Sequence, residues 1–179
     1  TRHEHSLLVL GTHGPQGIRQ KLFGADILKL VRHSAIPALV VQEGTPTDQL
    51  LERIVLPVAA HSQIDRLLDL VCALAKAFGS EVHVYHLLRP MEEPSEVLLA
   101  NKQKMLDRLK GEGVRCIEVN EPSSTFSIGF AEPTIRYAER IGQSCIAIMS
   151  SASDEYRYIA DAEKERMLAN DARIPVLCA

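Results

Sequence analysis

The 179-residue sequence contains no tryptophan, and aromatic residues make up only 4% of it. Yet 46% of the chain is hydrophobic. Any core must therefore be filled by Leu, Val, Ile and Ala, the composition of parallel strands buried beneath helices. No apolar run approaches the roughly 18 residues that cross a bilayer, so no membrane partner is expected. No basic block stands out and the net charge is −3, so nucleic acid is not an expected partner either. Residues 1–5 are polar and unlike a signal peptide, and a cytoplasmic location is expected. The four cysteines, Cys72, Cys116, Cys145 and Cys178, form no Cys-x-x-Cys pair, and each sits in an apolar run. They read as buried, reduced thiols rather than a disulfide framework. His83 and His86 stand three apart on an expected strand and so face opposite ways. With His3 and His5 at the chain start, they give no convincing ligand set, and no metal is expected.

What the chain does contain is an alternation of apolar runs and helical patterns. A short apolar run at 6–10 ends in Gly11 and reads as a buried strand. The glycine-rich turn Gly11-Thr-His-Gly14-Pro-Gln-Gly17 follows, then a helical pattern through Leu22, Ile27, Leu28, Leu30 and Val31, then a strand at 37–41. Residues 43–50 have the Gly, Pro, Thr and Asp of a linker. A longer unit begins at 51. Strands are expected at 54–58, 81–88, 114–119, 145–149 and 175–178. Helices are expected between them, one capped by Ser62 with Asp65 in a capping box and ended by Gly79, others over 94–110, 133–140 and 155–170. This βαβαβαβαβ order predicts an open parallel sheet with helices on both faces. The segment 1–42 parallels the end of that unit. Ile36-Pro37-Ala-Leu matches Ile174-Pro175-Val-Leu, and Gly11 to Pro37 spans nearly the same distance as Ser150 to Pro175. The chain reads as an internal repeat of which only the last third of the first copy is present, the three parts being 1–42, 43–50 and 51–179.

Gly11-x-x-Gly14, nine residues and Gly24 follow a strand and open a helix, where backbone amides can approach phosphates closely. Together with Leu-Phe-Gly24 and Arg-His-Ser-Ala-Ile-Pro-Ala-Leu-Val-Val, this stretch resembles the universal stress protein family, whose nucleotide pattern is Gly-x2-Gly-x9-Gly followed by Ser or Thr. The resemblance covers essentially the whole chain. It implies a Rossmann-like sheet of the adenine nucleotide alpha hydrolase type, strand order 3-2-1-4-5. It also implies nucleotide contacts from Gly11, His13, Gly14, Gly17, Gly24 and Ala25, and a regulatory rather than catalytic role in the stress response. The departures bear on affinity. Ala25 replaces the pattern's hydroxyl residue. In the second copy, Met149-Ser150-Ser151-Ala152-Ser153 replaces the glycine turn, Ala162-Glu163 replaces the final Gly-Ser, and Ala59 stands where the family commonly has an Asp that contacts the base. Glu163 is expected to put negative charge near a triphosphate.

Two functions follow from different classes. The leading one is a stress-response binding module that pairs with itself or a partner. The alternative is an ATP-binding protein that hydrolyses ATP slowly. ATP is expected to bind weakly or not at all, because the first copy lacks the strands that would hold base and ribose. In the family the fifth strands of two modules commonly pair antiparallel, so 37–41 is expected beside 175–178. The remaining edge of strand 7–10 is expected to be covered by a second chain, making a homodimer, or by a missing N-terminal segment.

Overall fold

The computed structural model describes residues 7–12, 24–46, 48–123, 129–142 and 144–179. In chain order the elements are β1 (Leu8–Thr12), α1 (Gly24–His33), β2 (Ala38–Gln42), β3 (Arg53–Pro57), α2 (Asp65–Phe78) and β4 (Glu81–Leu88). After these come α3 (Glu96–Gly111), β5 (Cys116–Pro122), α4 (Ala131–Ile141), β6 (Ser144–Ile148), α5 (Arg157–Leu168) and β7 (Val176–Cys178).

Seven strands form one sheet in the order β1-β2-β7-β6-β3-β4-β5. Numbered within the unit from 51 to 179, β3, β4, β5, β6 and β7 are strands one to five, so their order is the expected 3-2-1-4-5, all parallel. The period-two alternation of buried side chains explains the layering. Ile54, Leu56, Val82, Val84, Cys145 and Ala147 pack on one face beneath α2 and α3. Val55, Tyr85, Ile146, Ile148, Val176 and Cys178 pack on the other beneath α1, α4 and α5. Unbroken apolar runs in the central strands, such as Ile54–Leu56, Cys145–Ile148 and Val176–Cys178, are what a sheet covered on both faces requires.

The N-terminal elements join this sheet through β2, which pairs antiparallel with β7 in the register Ala38↔Cys178, Leu39↔Leu177, Val40↔Val176. The antiparallel contact expected between 37–41 and 175–178 is therefore present. β1 lies parallel to β2 at the sheet's end, and among the described residues no strand flanks its other side. Of residues 43–50, which read as a linker, 43–44 and 48–50 form turns, and the segment's start is fastened to the larger unit. The Gln42 side-chain amide donates to the carbonyl of Asn170 at 2.8 Å, and the Thr45 hydroxyl to the carbonyl of Arg173 at 2.9 Å.

Helix α2 departs from the expected capping box. It begins at Asp65 after Ile64, with no side-chain cap, and Ser62 lies outside it. Ile64 is almost wholly buried beside Leu67 and Leu68. The Asn101 amide instead fixes the preceding loop, donating to the carbonyls of Ala59 at 2.8 Å and His61 at 2.9 Å. Burying Ile64 and anchoring the loop from α3 outweigh a local cap of about 1 kcal/mol. Gly79 ends α2 as expected, in the left-handed conformation (φ 67°) that glycine adopts without steric cost. All four cysteines are free thiols; Cys145 and Cys178 are wholly buried, which pushes both up to about 12.

Candidate functional site

In an open α/β sheet the chain diverges where neighbouring strands send their helices to opposite faces, and the crevice beyond their C-terminal ends is where ligands bind. Here that point lies between β3 and β6, since α2 covers one face and α5 the other. A cavity of about 200 Å³ opens there. Its walls are mainly apolar, with Ile64, Leu67, Leu98, Met105 and Ile148 among them, and His61, His86, Ser153 and Lys164 bring polar atoms to it.

Two loops meet over the mouth. The Tyr156 hydroxyl donates to the Glu92 carboxylate, and the Arg89 guanidinium lies 4.6 Å from the Tyr156 ring centroid. Tyr156 adopts φ 52°, a conformation costly for an aromatic residue, and so turns its ring back towards the β4–α3 loop.

The loop after β6, where the sequence lacks its glycines, is engaged with the protein itself. The Ser150 N–H donates to the Ala179 carbonyl, and the Asp154 N–H to the Ala60 carbonyl, both at 2.8 Å. Two carbonyls take cations: Ser150 accepts from Arg32 Nε at 2.8 Å, and Ser151 from Lys164 Nζ. Arg32 also forks onto Asp161, tying α1 to α5. A loop that turns carbonyls towards cations is a poor cradle for a triphosphate, which needs free N–H groups.

Helix α5 carries two charged residues in unexpected places. Its buried positions are Ala160, Glu163, Lys164, Met167 and Leu168, the i, i+3, i+4, i+7, i+8 stripe that normally holds apolar side chains. Glu163 was expected to face a triphosphate. Instead its Oε2 accepts the N–H groups of Phe130 at 2.6 Å and Ala131 at 2.7 Å, capping α4, which has no cap of its own. A carboxylate is favoured there by the unpaired amides and the helix dipole. Lys164 turns into the cleft, and burial holds its pKa down at about 8, with the charge of Arg32 adding to the effect. Keeping it protonated at neutral pH costs the fold about 3 kcal/mol. Charges on a stripe of this period are a signal in the sequence that could have marked α5 as more than a core helix.

His61, on the loop after β3, is held down to about 4, first by burial and then by the charge of Lys164. Burial also lowers His83 and His86. His83 Nδ1 lies 2.7 Å from the Tyr137 hydroxyl and its Nε2 3.0 Å from Glu81, while His86 approaches Lys102 on the other face. A depressed histidine stabilises the fold only while neutral. Between pH 6.5 and about 4 the unfolded chain binds protons that folded His61 refuses. Stability is therefore fully present above pH 6.5 and falls towards pH 4, His61 alone accounting for up to about 3 kcal/mol. Urea midpoints measured from pH 7 to pH 4 should drop along this course. A flat profile would show these rings to be solvated.

Of the residues first singled out for nucleotide, Gly11 lies in β1 and opens into empty space, and Gly24 and Ala25 begin α1. His13, Gly14 and Gly17 lie outside the described residues. Gly24 has a packing role of its own, because a Cβ there would meet the Glu165 carbonyl oxygen at 2.3 Å. Among the described residues, no group of three or more metal-ligating side chains occurs, and no helix is long and apolar enough to cross a membrane.

No family model matches the sequence, and no curated protein matches it. Solved structures do. The chain is similar to a universal stress protein from Archaeoglobus fulgidus DSM 4304, at 16% identity and a TM-score of 0.64, over 97% of this chain and 60% of that one. It thus spans less than two thirds of that protein's length. It is also similar to the universal stress protein from Archaeoglobus fulgidus solved in complex with dAMP, at 18% identity and a TM-score of 0.51, over 72% of this chain and 98% of that one. A functionally unknown protein from Pseudomonas aeruginosa aligns at 17% identity and a TM-score of 0.53, over 96% of this chain and 62% of that one. By class the protein is an open, mostly parallel α/β sheet covered by helices on both faces. Its fold is that of the universal stress proteins it resembles.

Proposed function

We propose that this chain is a universal stress protein-type binding module whose ligand, a small adenine nucleoside or its monophosphate, enters the cleft between β3 and β6. The observation that carries this reading is the cleft itself, an apolar cavity at the sheet's switch point with a few inward polar groups. Its volume of about 200 Å³ lies below the roughly 300–1,000 Å³ of drug-sized ligand sites, which favours a small occupant. A structural neighbour is solved with dAMP, which has one phosphate, in keeping with a loop after β6 whose carbonyls take Arg32 and Lys164. The role is regulatory: ligand occupancy ties the β4–α3 and β6–α5 loops that already touch through Tyr156, Glu92 and Arg89. The repeat relationship of 1–42 to the end of 51–179 fits a tandem arrangement of two modules. The edge of β1 that no described strand flanks then offers the surface for a second copy. The segment from Gly11 to Ala25 remains in this proposal as a partial second nucleotide loop.

Titration calorimetry tests the reading. Adenosine or AMP should bind more tightly than ATP, and Ala59→Phe, which fills the cleft, should weaken binding at least about ten-fold. Tight ATP binding that survives Ala59→Phe would overturn it. The alternative reading, slow ATP hydrolysis, would show as phosphate release in the same samples.

A further inference from the structure

The cleft contains two basic side chains whose hydrogen-bonding capacity the fold leaves largely unused. Lys164 is 3% exposed and His61 9%, and both line the cavity. The Lys164 ammonium can donate three hydrogen bonds and, among the described residues, makes one, to the Ser151 carbonyl. Among the described residues the His61 ring has no hydrogen-bond partner. Among the described residues, the charged groups around them offer no dedicated counter-ion. Asp161 is occupied by the Arg32 fork, and Asp154 acts on His61 less than Lys164 does. The remaining neighbour that acts on Lys164 is the thiol of Cys178, which burial keeps protonated. Two nitrogen bases lacking an anion, buried side by side in an otherwise apolar cavity, are costly unless an anion completes them.

We propose that Lys164 and His61 form an anion subsite within the cleft, binding the single phosphate or carboxylate of a small ligand whose apolar body lies against Ile64, Leu67 and Ile148. This rests on the cleft being the ligand site. It adds that the anionic end is read by two side chains, in place of the loop amides that the sequence lacks glycines to present. Charge-assisted bonds from a buried ammonium and imidazolium give such a subsite its strength. Both groups are held towards their neutral forms, and a bound anion favours the protonated form of His61.

The experiment compares adenosine, AMP, inorganic phosphate and the pair benzoate and benzamide. Each is titrated into the full chain by calorimetry at pH 7, while the His61 ring is followed by NMR through a pH series. AMP should bind about ten-fold or more tightly than adenosine, and phosphate or AMP should raise the pH at which His61 titrates. Lys164→Met should abolish the gap, and Lys164→Arg should keep part of it. The His61 readout needs no variant and stands if Lys164→Met fails to fold. A gain for benzoate over benzamide without a response to phosphate assigns a carboxylate; the reverse assigns a phosphate. Adenosine binding as tightly as AMP, with His61 unmoved by any anion, overturns the subsite and leaves the cleft reading intact. An anion response without adenosine binding supports the subsite and defeats the adenine reading. Silence from every probe overturns both.

Discussion

Replacing Gly24 by alanine lowers the stability of the fold by about 1–3 kcal/mol, and valine lowers it further. Gly24 starts α1 where that helix crosses α5, and a Cβ would stand 2.3 Å from the Glu165 carbonyl oxygen and 2.8 Å from its carbon. Both are backbone atoms, so no rotamer change relieves the clash and one helix must move off the other. The better helix propensity of alanine returns at most about 1 kcal/mol. For a chain of this size the net loss corresponds to a melting temperature lower by roughly 2–4 °C per kcal/mol. Chemical denaturation of the two variants provides the check. If Gly24→Val is as stable as the parent, α1 and α5 do not pack as described.

The second large effect is expected at Glu163. Glu163→Ala should cost about 2–4 kcal/mol, because it strips the charged acceptor from the N–H groups of Phe130 and Ala131 and leaves both donors unpaired at the buried start of α4. Glu163→Gln keeps an acceptor oxygen but not the charge, and should lose about half as much. The same pair of variants separates two roles for this carboxylate. Had Glu163 faced the ligand, removing its charge would tighten nucleotide binding and leave stability alone. The contacts with α4 predict the opposite: lower stability, measured by urea unfolding, with little change in affinity.

Much of the fold was legible because the signals that carry it are local and periodic. Unbroken apolar runs such as 54–56 and 145–148 marked doubly covered strands. Their alternation with helices fixed a parallel sheet, and the likeness of Ile36-Pro37 to Ile174-Pro175 marked the repeat, while the antiparallel pairing of β2 with β7 was implied by the family resemblance. The candidate site was less legible because it is assembled from contacts distant in sequence. Glu163 reaches α4 across 32 and 33 residues, and Asn101 anchors the β3–α2 loop across about 40. Tyr156 meets Glu92 across 64. Ser62 and Asp65 illustrate the same limit: their spacing satisfies a capping box, but the burial of Ile64 sets where α2 begins. Glu163 and Lys164 did leave a trace, as adjacent charges on the buried stripe of α5. A reading of their spacing against 3.6 residues per turn would have marked them.

The ligand proposed for this chain enters between β3 and β6. Amide chemical-shift mapping during an adenosine titration tests it most directly. Residues 57–61, 85–89, 148–149, 153 and 155–156, which line the cleft, should shift together and saturate with one affinity. Shifts confined to β1 and the start of α1, or no shifts at all, would contradict it.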